Sequence, residues 1–290
     1  MSFKIVVLAK QVPDTRNVGK DAMKADGTVN RAALSAIYNP EDLNALEQAL
    51  RLKSKIEGAT VHILTMGPAR AAEIIRESMY RGADGGFLLS GREFAGSDTL
   101  ATSYALAAAI RRIGKVDLIL CGRQAIDGDT AQVGPQVAEK LGMPQITYAE
   151  EILDLHDNKI TVKRRLERGV EVVRGPLPML VTVNGSAANC RPRQAKLTLK
   201  FKRAATLSEK QEAGSDYTDL YNSHPYLNIP EWGVSEIEHD PQWLGLTGSP
   251  TKVKAIENVV FTAKESKRLT GTDFEIESLM KELIANHTIG

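Results

Sequence analysis

A glycine-punctuated, acid-rich loop at residues 121–134, CGRQAIDGDTAQVG, has residue types that suit phosphate chemistry. A short apolar run, VDLIL, precedes it, and an apparent helix follows it. Gly122 and Gly128 allow the backbone to turn tightly or to approach a ligand closely. Asp129 or Thr130 is expected to cap the helix, whose first amides lack partners within the helix and attract anions.

The other residues of this loop have separate expected roles. Asp127 is expected to accept a hydrogen bond from a ribose hydroxyl, and Arg123 to neutralise a phosphate. The amides of residues 131–133 are the expected phosphate donors, and Gly134 keeps the first helical turn slim. A plain structural turn before a capped helix is an equally open interpretation of these residues alone.

Other kinds of chemistry find little support in the sequence. It has no G-x-G-x-x-G after its first strand and no G-x-x-x-x-G-K-[ST], which disfavours classical dinucleotide-binding and P-loop proteins. Its histidines form no spaced metal motif, and no Ser-His-Asp or Cys-His arrangement emerges. Two cysteines, Cys121 and Cys190, cannot by themselves ligate an iron–sulfur cluster or a structural zinc.

Composition limits the class of protein. Of the 290 residues, 42% are hydrophobic and 25% are charged, which is typical of a soluble globular protein. The net charge is +1, so neither nucleic acid nor membrane is expected as a main partner. The first residues, MSFKIVVLAK, predict a strand and not a signal peptide. No segment is long enough to cross a bilayer, and a cytoplasmic location is expected.

The elements that must position the loop alternate between strand and helix. Apolar strands are predicted at 4–8, 60–66, 85–90 and 116–121. Between them lie helices that start at Asn39-Pro40, that follow 67–68, and that follow a cap at Ser97 or Asp98. A turn is predicted at 26–30, DGTVN. This alternation predicts an α/β fold with a Rossmann-like, doubly wound parallel sheet.

The pattern changes after Pro144. Four strand patterns between 146 and 183 predict added antiparallel strands, and residues 203–243 predict an irregular arm. Thr272 and Glu275 predict a capping box before a C-terminal amphipathic helix. The expected organisation is a nucleotide-binding α/β domain over 1–195 and a C-terminal arm and helix over 196–290, used for docking.

Several separated motifs together resemble the beta subunit of electron transfer flavoproteins. They are VVLAKQVPDT, NPEDLNALEQALRLK, ILTMGPARA, RGADGGFLLSGREFAGSDTLATS and the loop with its continuation to TYA. GLTGSPTKV later in the chain fits the same family. The resemblance covers about residues 1–200 and recurs at 244–253, whereas 203–243 matches poorly.

The resemblance implies an alpha subunit that carries a flavin and a beta subunit that binds an adenine nucleotide. In ordinary members the nucleotide is AMP. In electron-bifurcating members it is the adenylate half of a second FAD, which NADH reduces. One electron then goes to ferredoxin or flavodoxin, and the other goes through the alpha-subunit FAD to a dehydrogenase, for which acyl-CoA is one candidate substrate. The segments GRQAIDGDTAQVGP and FAGSDTLATS resemble the corresponding segments of the bifurcating type.

Alternatives remain open at this point. One is an ordinary beta subunit with a structural AMP, and another is an adenine-nucleotide sensing or adenylating protein of the same fold. No catalytic side chain is expected in the flavoprotein cases, because the cofactor carries the chemistry.

The resemblance also implies individual nucleotide contacts at three strand ends. Leu8 and Ala9 would lie on the adenine side and Met66 on the ring, while Glu41 departs from the ordinary pattern. Asn39-Pro40 is equally well explained as a helix start, and Met66 as a core filler. The full expected set is Leu8, Ala9, Asn39, Pro40, Asp42, Met66, Gly122, Arg123, Gln124, Ala125, Ile126, Asp127, Gly128, Asp129, Thr130, Ala131, Gln132, Val133 and Gly134.

Two further surfaces are predicted. The loop before the 99–113 helix is a hypothetical contact for the NADH pyrophosphate, the alternative being a plain helix cap. Leu197, between basic residues, is a hypothetical anchor for the dehydrogenase, the alternative being an ordinary edge strand. The NADH set is Arg92, Phe94, Ala95, Gly96, Asp98 and Thr99.

Overall fold

The computed structural model of the protein describes residues 3–14, 34–213, 218–252, 266, 268–286 and 288–289. The turn predicted at 26–30 lies outside these residues. No helix in the described ranges is both long and apolar enough to cross a bilayer.

Parallel strands form most of a nine-stranded main sheet, and a separate two-stranded ribbon lies beside it. The strands are β1 (Lys4–Leu8), β2 (Gln11–Pro13), β3 (Ala36–Tyr38), β4 (Thr60–Met66), β5 (Gly85–Leu89), β6 (Leu118–Gly122), β7 (Gln145–His156), β8 (Lys159–Leu166), β9 (Gly169–Pro176), β10 (Met179–Val183) and β11 (Glu231–Trp232). The main sheet has the order β11-β5-β4-β1-β6-β10-β7-β8-β9, and β2 pairs with β3.

Helices cover both faces of this sheet, as the doubly wound prediction requires. They are α1 (Pro40–Lys55), α2 (Ala72–Arg81), α3 (Thr99–Ile113), α4 (Val133–Leu141), α5 (Ala195–Phe201), α6 (Leu207–Ala213), α7 (Thr218–Ser223) and α8 (Asp273–Ala285). Successive strand residues point to opposite faces. Val7 accordingly lies in the core with α1 and α2, whereas Val6 lies in the core with α3 and α4. The α/β, Rossmann-like prediction is confirmed.

The prediction of four antiparallel strands after Pro144 is wrong for one of them. β8 and β9 do pair antiparallel to their neighbours, but β10 runs parallel to both β6 and β7. All five residues of β10 are buried. A strand buried on both faces is typical of the centre of a parallel sheet, and this burial explains why β10 lies inside the sheet.

Much of the segment after residue 200 packs onto the α/β body. Phe201 and Leu227 join the core under α1 and α2, and Leu244 joins the core on the opposite face. β11 adds to the sheet beside β5. By contrast, α8 has no buried residue, although Thr272 does cap it by accepting a hydrogen bond from the Glu275 amide. The domain boundary at 195 stays a prediction.

Candidate functional site

The carboxyl ends of β4, β1 and β6 lie side by side and form the floor of the candidate site. Leu8 is in register with Leu64 of β4 and with Cys121 of β6. The sheet therefore brings together Leu8, Ala9, Met66 and Gly122, which are 114 positions apart at most in the chain. Open parallel sheets bind ligands beyond this edge.

The first turn of α1 holds the loop that follows β6. The Asn39 side chain donates to the Gln124 carbonyl at 2.9 Å and accepts from the Ile126 amide at 3.2 Å. Glu41 accepts from the Gln124 amide at 3.0 Å and from the Arg123 guanidinium at 3.1 Å. Asn39 occupies the N-cap position, but its side chain makes no capping bond because the loop uses both ends of its amide.

Asp42 ties the ends of two strands together. One carboxylate oxygen accepts from the Lys10 amide at 2.9 Å, and the other accepts from the Gly122 amide at 2.8 Å. Gly122 is required here because a Cβ atom at that position would lie 2.5 Å from the nearer Asp42 oxygen. The polar atoms of Asn39, Glu41 and Asp42 are thus occupied by the protein, and these residues position the loop.

Burial raises the pKa of Asp42 to about 7, against the opposing effect of the Lys10 and Gly122 amides, from an ordinary value near 3.8. The native state therefore keeps a proton over a pH range in which the unfolded chain has released it. The contribution of Asp42 to the free energy of unfolding is then greatest below the pKa of the unfolded chain. It is lost as the pH rises through the pKa of the folded protein.

We expect the free energy of unfolding to fall as the pH rises from about 4 to about 7. Between the pKa of the unfolded chain and that of the folded protein, the fall is about 1.4 kcal/mol per pH unit. Urea titrations across this range, on the wild type and on Asp42→Asn, measure it. The asparagine variant should lack this component because it does not ionise. Identical pH profiles for the two proteins would contradict the raised pKa.

The helix after the loop begins later than the sequence indicates. Asp129 and Thr130 do not cap it, because α4 starts at Val133 and Gln132 is its N-cap residue. Asp129 and Ala131 both adopt left-handed backbone conformations, with φ of 50° and 53°, which delays the helix. The Asp129 carboxylate instead accepts from the Gln124 side chain at 2.8 Å.

The start of α4 offers free hydrogen-bond donors. Among the described residues, the amides of Ala131, Gln132 and Val133 have no acceptor. They stand at the positive end of the helix dipole, as an anion site requires. Gly134 lets this end approach the sheet, because a Cβ there would lie 2.8 Å from Thr182 Cγ2 and 2.9 Å from Cys121 Sγ.

The remaining loop residues are more exposed. Asp127 forms an ion pair with Lys10, at 2.7 Å between Nζ and the carboxylate. Gly128 would meet nothing within 4 Å if it carried a Cβ, and its φ lies outside the left-handed range. Neither the backbone conformation nor the available space thus requires a glycine at 128, whereas lack of space for a Cβ requires one at 122 and 134.

A cavity of about 630 Å³ lies beside the loop, on the α1 side. Its far wall is the segment after β10, which α1 also holds. Asn44 donates to the carbonyls of Ala187 and Ala188 at 3.0 Å, and Glu47 accepts from Arg191 at 2.9 Å. The lining residues are Pro40, Glu41, Leu43, Asn44, Arg81, Arg123, Gln124, Ile126, Asp129, Gly185, Asn189 and Cys190.

Asn44 and Glu47 are positioning residues that the sequence pattern did not reveal. Both are buried, with 5% and 6% of their surface exposed, in a helix whose leucines already account for one apolar face. The sequence signal that could have revealed them is a series of polar residues in α1, which includes Asn44 and Glu47 and lies on the same helical turns as Leu43, Leu46 and Leu50. Sequence alone does not say that this polar face is also covered.

The loop before α3 is closed by a later part of the chain. Asp98 caps α3, as predicted, by accepting from the Leu100 and Ala101 amides at 2.9 and 3.1 Å. Its other oxygen accepts from the amide and hydroxyl of Thr251. The amides offered to a pyrophosphate are therefore already bonded to Asp98.

The other residues of that loop differ in accessibility. Phe94 is 5% exposed and belongs to the core, so its ring is not available to a ligand. Gly96 has a φ of 72°, and a Cβ there would lie 2.6 Å from Leu246. Arg92, Ala95 and Thr99 remain at the surface or half-buried.

The predicted docking residue lies on a helix, not on an edge strand. Leu197 belongs to α5, is half-buried and packs against the core. Leu199, in the same helix, is 67% exposed. Exposure therefore favours Leu199 as the apolar contact of this helix.

Comparisons with known proteins identify the family of this chain. The family model for the electron transfer flavoprotein domain matches residues 26–207. The acryloyl-CoA reductase electron transfer subunit gamma of Anaerotignum propionicum is 42% identical over 99% of this chain and 100% of its own length. The caffeyl-CoA reductase-Etf complex subunit CarD of Acetobacterium woodii is 51% identical, over 87% and 86%. Protein FixA of Azotobacter vinelandii is 49% identical, over 97% and 92%. With a family match over most of the chain and relatives aligned along nearly all of it, the protein belongs to the electron transfer flavoprotein family, as a beta subunit.

Proposed function

We propose that this chain is the beta subunit of an electron-bifurcating flavoprotein that binds FAD at the carboxyl edge of β1, β4 and β6. It would pair with a flavin-bearing alpha subunit and take electrons from NADH. One electron would go to ferredoxin or flavodoxin, and the other, through the alpha-subunit FAD, to a dehydrogenase. Relatives whose names place them with acryloyl-CoA and caffeyl-CoA reductases support an acyl-CoA type of partner.

The observation that carries the nucleotide part of the proposal is the free start of α4. Three consecutive amides without acceptors in the described chain face the same edge as the β6 loop. Asn39, Glu41 and Asp42 hold that loop in place, so its donors are set before a ligand arrives. A preorganised donor set costs little ordering when an anion binds.

This chain's residues would bind and orient the nucleotide, and the bound flavin would supply hydride acceptance and single-electron transfer. The free amides at the start of α4 and the loop held by α1 suit the binding and orienting role of this chain. In the described part of the chain no cluster of side chains could hold a metal ion.

The decisive experiment is nucleotide stoichiometry in the complex purified with its alpha subunit. We expect two FAD per heterodimer and bleaching of the flavin absorbance on titration with NADH. One FAD with one AMP would instead identify an ordinary beta subunit. ATP without flavin would identify an adenine-nucleotide sensing or adenylating protein.

NADH is also expected to contact the loop before α3, through its exposed arginine. Since Asp98 already accepts from the Leu100 and Ala101 amides, the cationic side chain of Arg92 is the group in this loop that can meet a phosphate. Arg92→Ala should raise the NADH concentration for half-maximal oxidation about tenfold, or about 1.4 kcal/mol. FAD content should stay intact. Gly96→Val is a poor probe because it would collide with Leu246. An unchanged NADH dependence would exclude this loop.

We further propose α5 as the docking element for the dehydrogenase. Leu199 is exposed and lies between Lys196, Lys200 and Lys202, an apolar contact with a basic rim. Leu199→Ala should lower the rate of partner reduction about tenfold without loss of flavin, because a partner that covers Leu199 removes apolar surface from water, worth about 1.5–3 kcal/mol for a whole leucine side chain.

Leu197→Ala in the same assay separates the two leucines. If docking uses only the exposed side of α5, Leu197→Ala should reduce thermal stability and leave the partner rate unchanged. A larger loss of partner rate for Leu197→Ala than for Leu199→Ala would restore the anchor predicted from sequence. Wild-type rates for both variants would remove α5 from the docking surface.

A further inference from the structure

Tyr148 has a backbone conformation that its side chain does not favour. Its φ is 61°, in the left-handed region that costs a non-glycine residue energy. The conformation arises at a β-bulge. Ile146 pairs with Val181 and Ala149 with Val183, so β7 holds one residue more than β10 between these pairs. Bulges re-aim side chains and occur often next to active sites.

Neighbouring contacts fix Tyr148 in this conformation. Its amide donates to the Thr182 hydroxyl at 3.2 Å, and Thr182 itself packs against Gly134 at the start of α4. The following residue, Ala149, is completely buried. The tyrosine is nevertheless 37% exposed, so the bulge holds an aromatic side chain at the surface.

Arg123 connects this tyrosine to the nucleotide loop. Its guanidinium carbon lies 5.8 Å from the centre of the Tyr148 ring, within the range of a cation–π contact. The same guanidinium forms an ion pair with Glu41, with 3.1 Å between Arg123 Nη2 and Glu41 Oε1. The aromatic ring and the cation thus form one contacting unit that extends from the end of β6 to β7, away from Met66 on β4.

The position of this unit across the sheet suggests which ligands it can touch. Gly122 is in register with Val183, and Val183 with Ala149, so Tyr148 lies at the same carboxyl edge as the loop. From β4, past β1, β6 and β10, to β7 is four strand spacings, or about 19 Å. A mononucleotide with its base near Met66 is too short to reach Tyr148, whereas a dinucleotide is long enough.

We propose that Tyr148, supported by Arg123, is a specificity-determining residue that contacts the second half of a dinucleotide and so favours FAD over AMP. This inference rests on the proposed function, since it requires an adenine nucleotide at the β1, β4 and β6 edge. In this inference the left-handed backbone at the bulge serves to hold the ring near Arg123 and the loop after β6.

The test uses the heterodimer, depleted of its more weakly held nucleotide and then titrated separately with FAD and with AMP. Tyr148→Gly removes the ring and allows the left-handed backbone without cost. It should weaken binding of the second FAD about tenfold, which is typical for loss of one stacking aromatic, and leave AMP affinity unchanged. Tyr148→Phe keeps the ring and should match the wild type with both nucleotides.

Other outcomes overturn the inference in distinguishable ways. Wild-type FAD affinity in Tyr148→Gly would mean that the position serves only the backbone turn. An equal loss of FAD and AMP affinity would mean a general disturbance of the site, with no selectivity for dinucleotides. Failure of the wild type to bind either nucleotide would overturn the proposed function together with this inference.

Discussion

Gly134→Val is expected to empty the proposed nucleotide site of the purified complex. Even a single added carbon would lie 2.8 Å from Thr182 and 2.9 Å from Cys121, both in central strands, and valine adds two more. Because Cys121 and Thr182 are themselves buried, α4 has to move away from the sheet. That movement displaces the free amides of residues 131–133, and nucleotide content should fall tenfold or more.

The same substitution should lower the free energy of unfolding by about 1–3 kcal/mol, the usual cost of overpacking a core. Gly128→Ala is the matched control, since that position has open space and an ordinary backbone conformation. It should bind nucleotide as the wild type does. Nucleotide extraction and thermal unfolding measure both effects. Full FAD content with unchanged NADH reduction in Gly134→Val would refute the role assigned to the start of α4.

Asn39→Ala is expected to release from α1 the loop of residues 122–134, which we propose binds the nucleotide. Asn39 has no exposed surface and bonds both the Gln124 carbonyl and the Ile126 amide. Leaving a buried polar group without its partner costs about 1–3 kcal/mol. We therefore expect a loss of about 2 kcal/mol in stability and a roughly tenfold weaker nucleotide affinity, because the loop must be ordered again on binding.

Asn39→Asp separates the two bonds of this side chain. The aspartate still accepts from the Ile126 amide but has no hydrogen to give to the Gln124 carbonyl, so two acceptors face each other. It should impair nucleotide retention at least as much as Asn39→Ala. Retention equal to that of the wild type in both variants, measured by equilibrium dialysis, would show that the loop is held by other contacts.

Local sequence signals anticipated the elements that surround the site. The apolar runs at 4–8 and 60–66 became β1 and β4, and Asp98 does cap α3. These features depend on neighbours in the chain, which is why residue pattern and capping chemistry suffice for them. The three strand ends were also assigned to one edge correctly, because a doubly wound sheet leaves few alternatives.

Features set by distant parts of the chain were not predictable in the same way. Whether the 179–183 run lies at the edge or in the middle of the sheet depends on its partners and not on its own residues. The delayed start of α4 depends on left-handed conformations at Asp129 and Ala131, residue types that do not demand them. The positions of Asn39 and Asp42 were foreseen, but as ligand contacts, because sequence does not reveal that the protein occupies their polar atoms.

The two loops held by α1 set the order in which the protein can assemble. Asp42 meets Gly122, 80 residues along the chain, and Glu47 meets Arg191, 144 residues along. Contacts of such separation form slowly, since a long stretch of chain must be closed before they stabilise anything. During synthesis, α1 emerges early, and two of its buried carboxylates wait for distant partners: Asp42 for Gly122 and Glu47 for Arg191. If nucleotide binds at this edge, as we propose, a chain that ends before residue 191 of the 290 should lack the Glu47–Arg191 contact and should bind nucleotide more weakly.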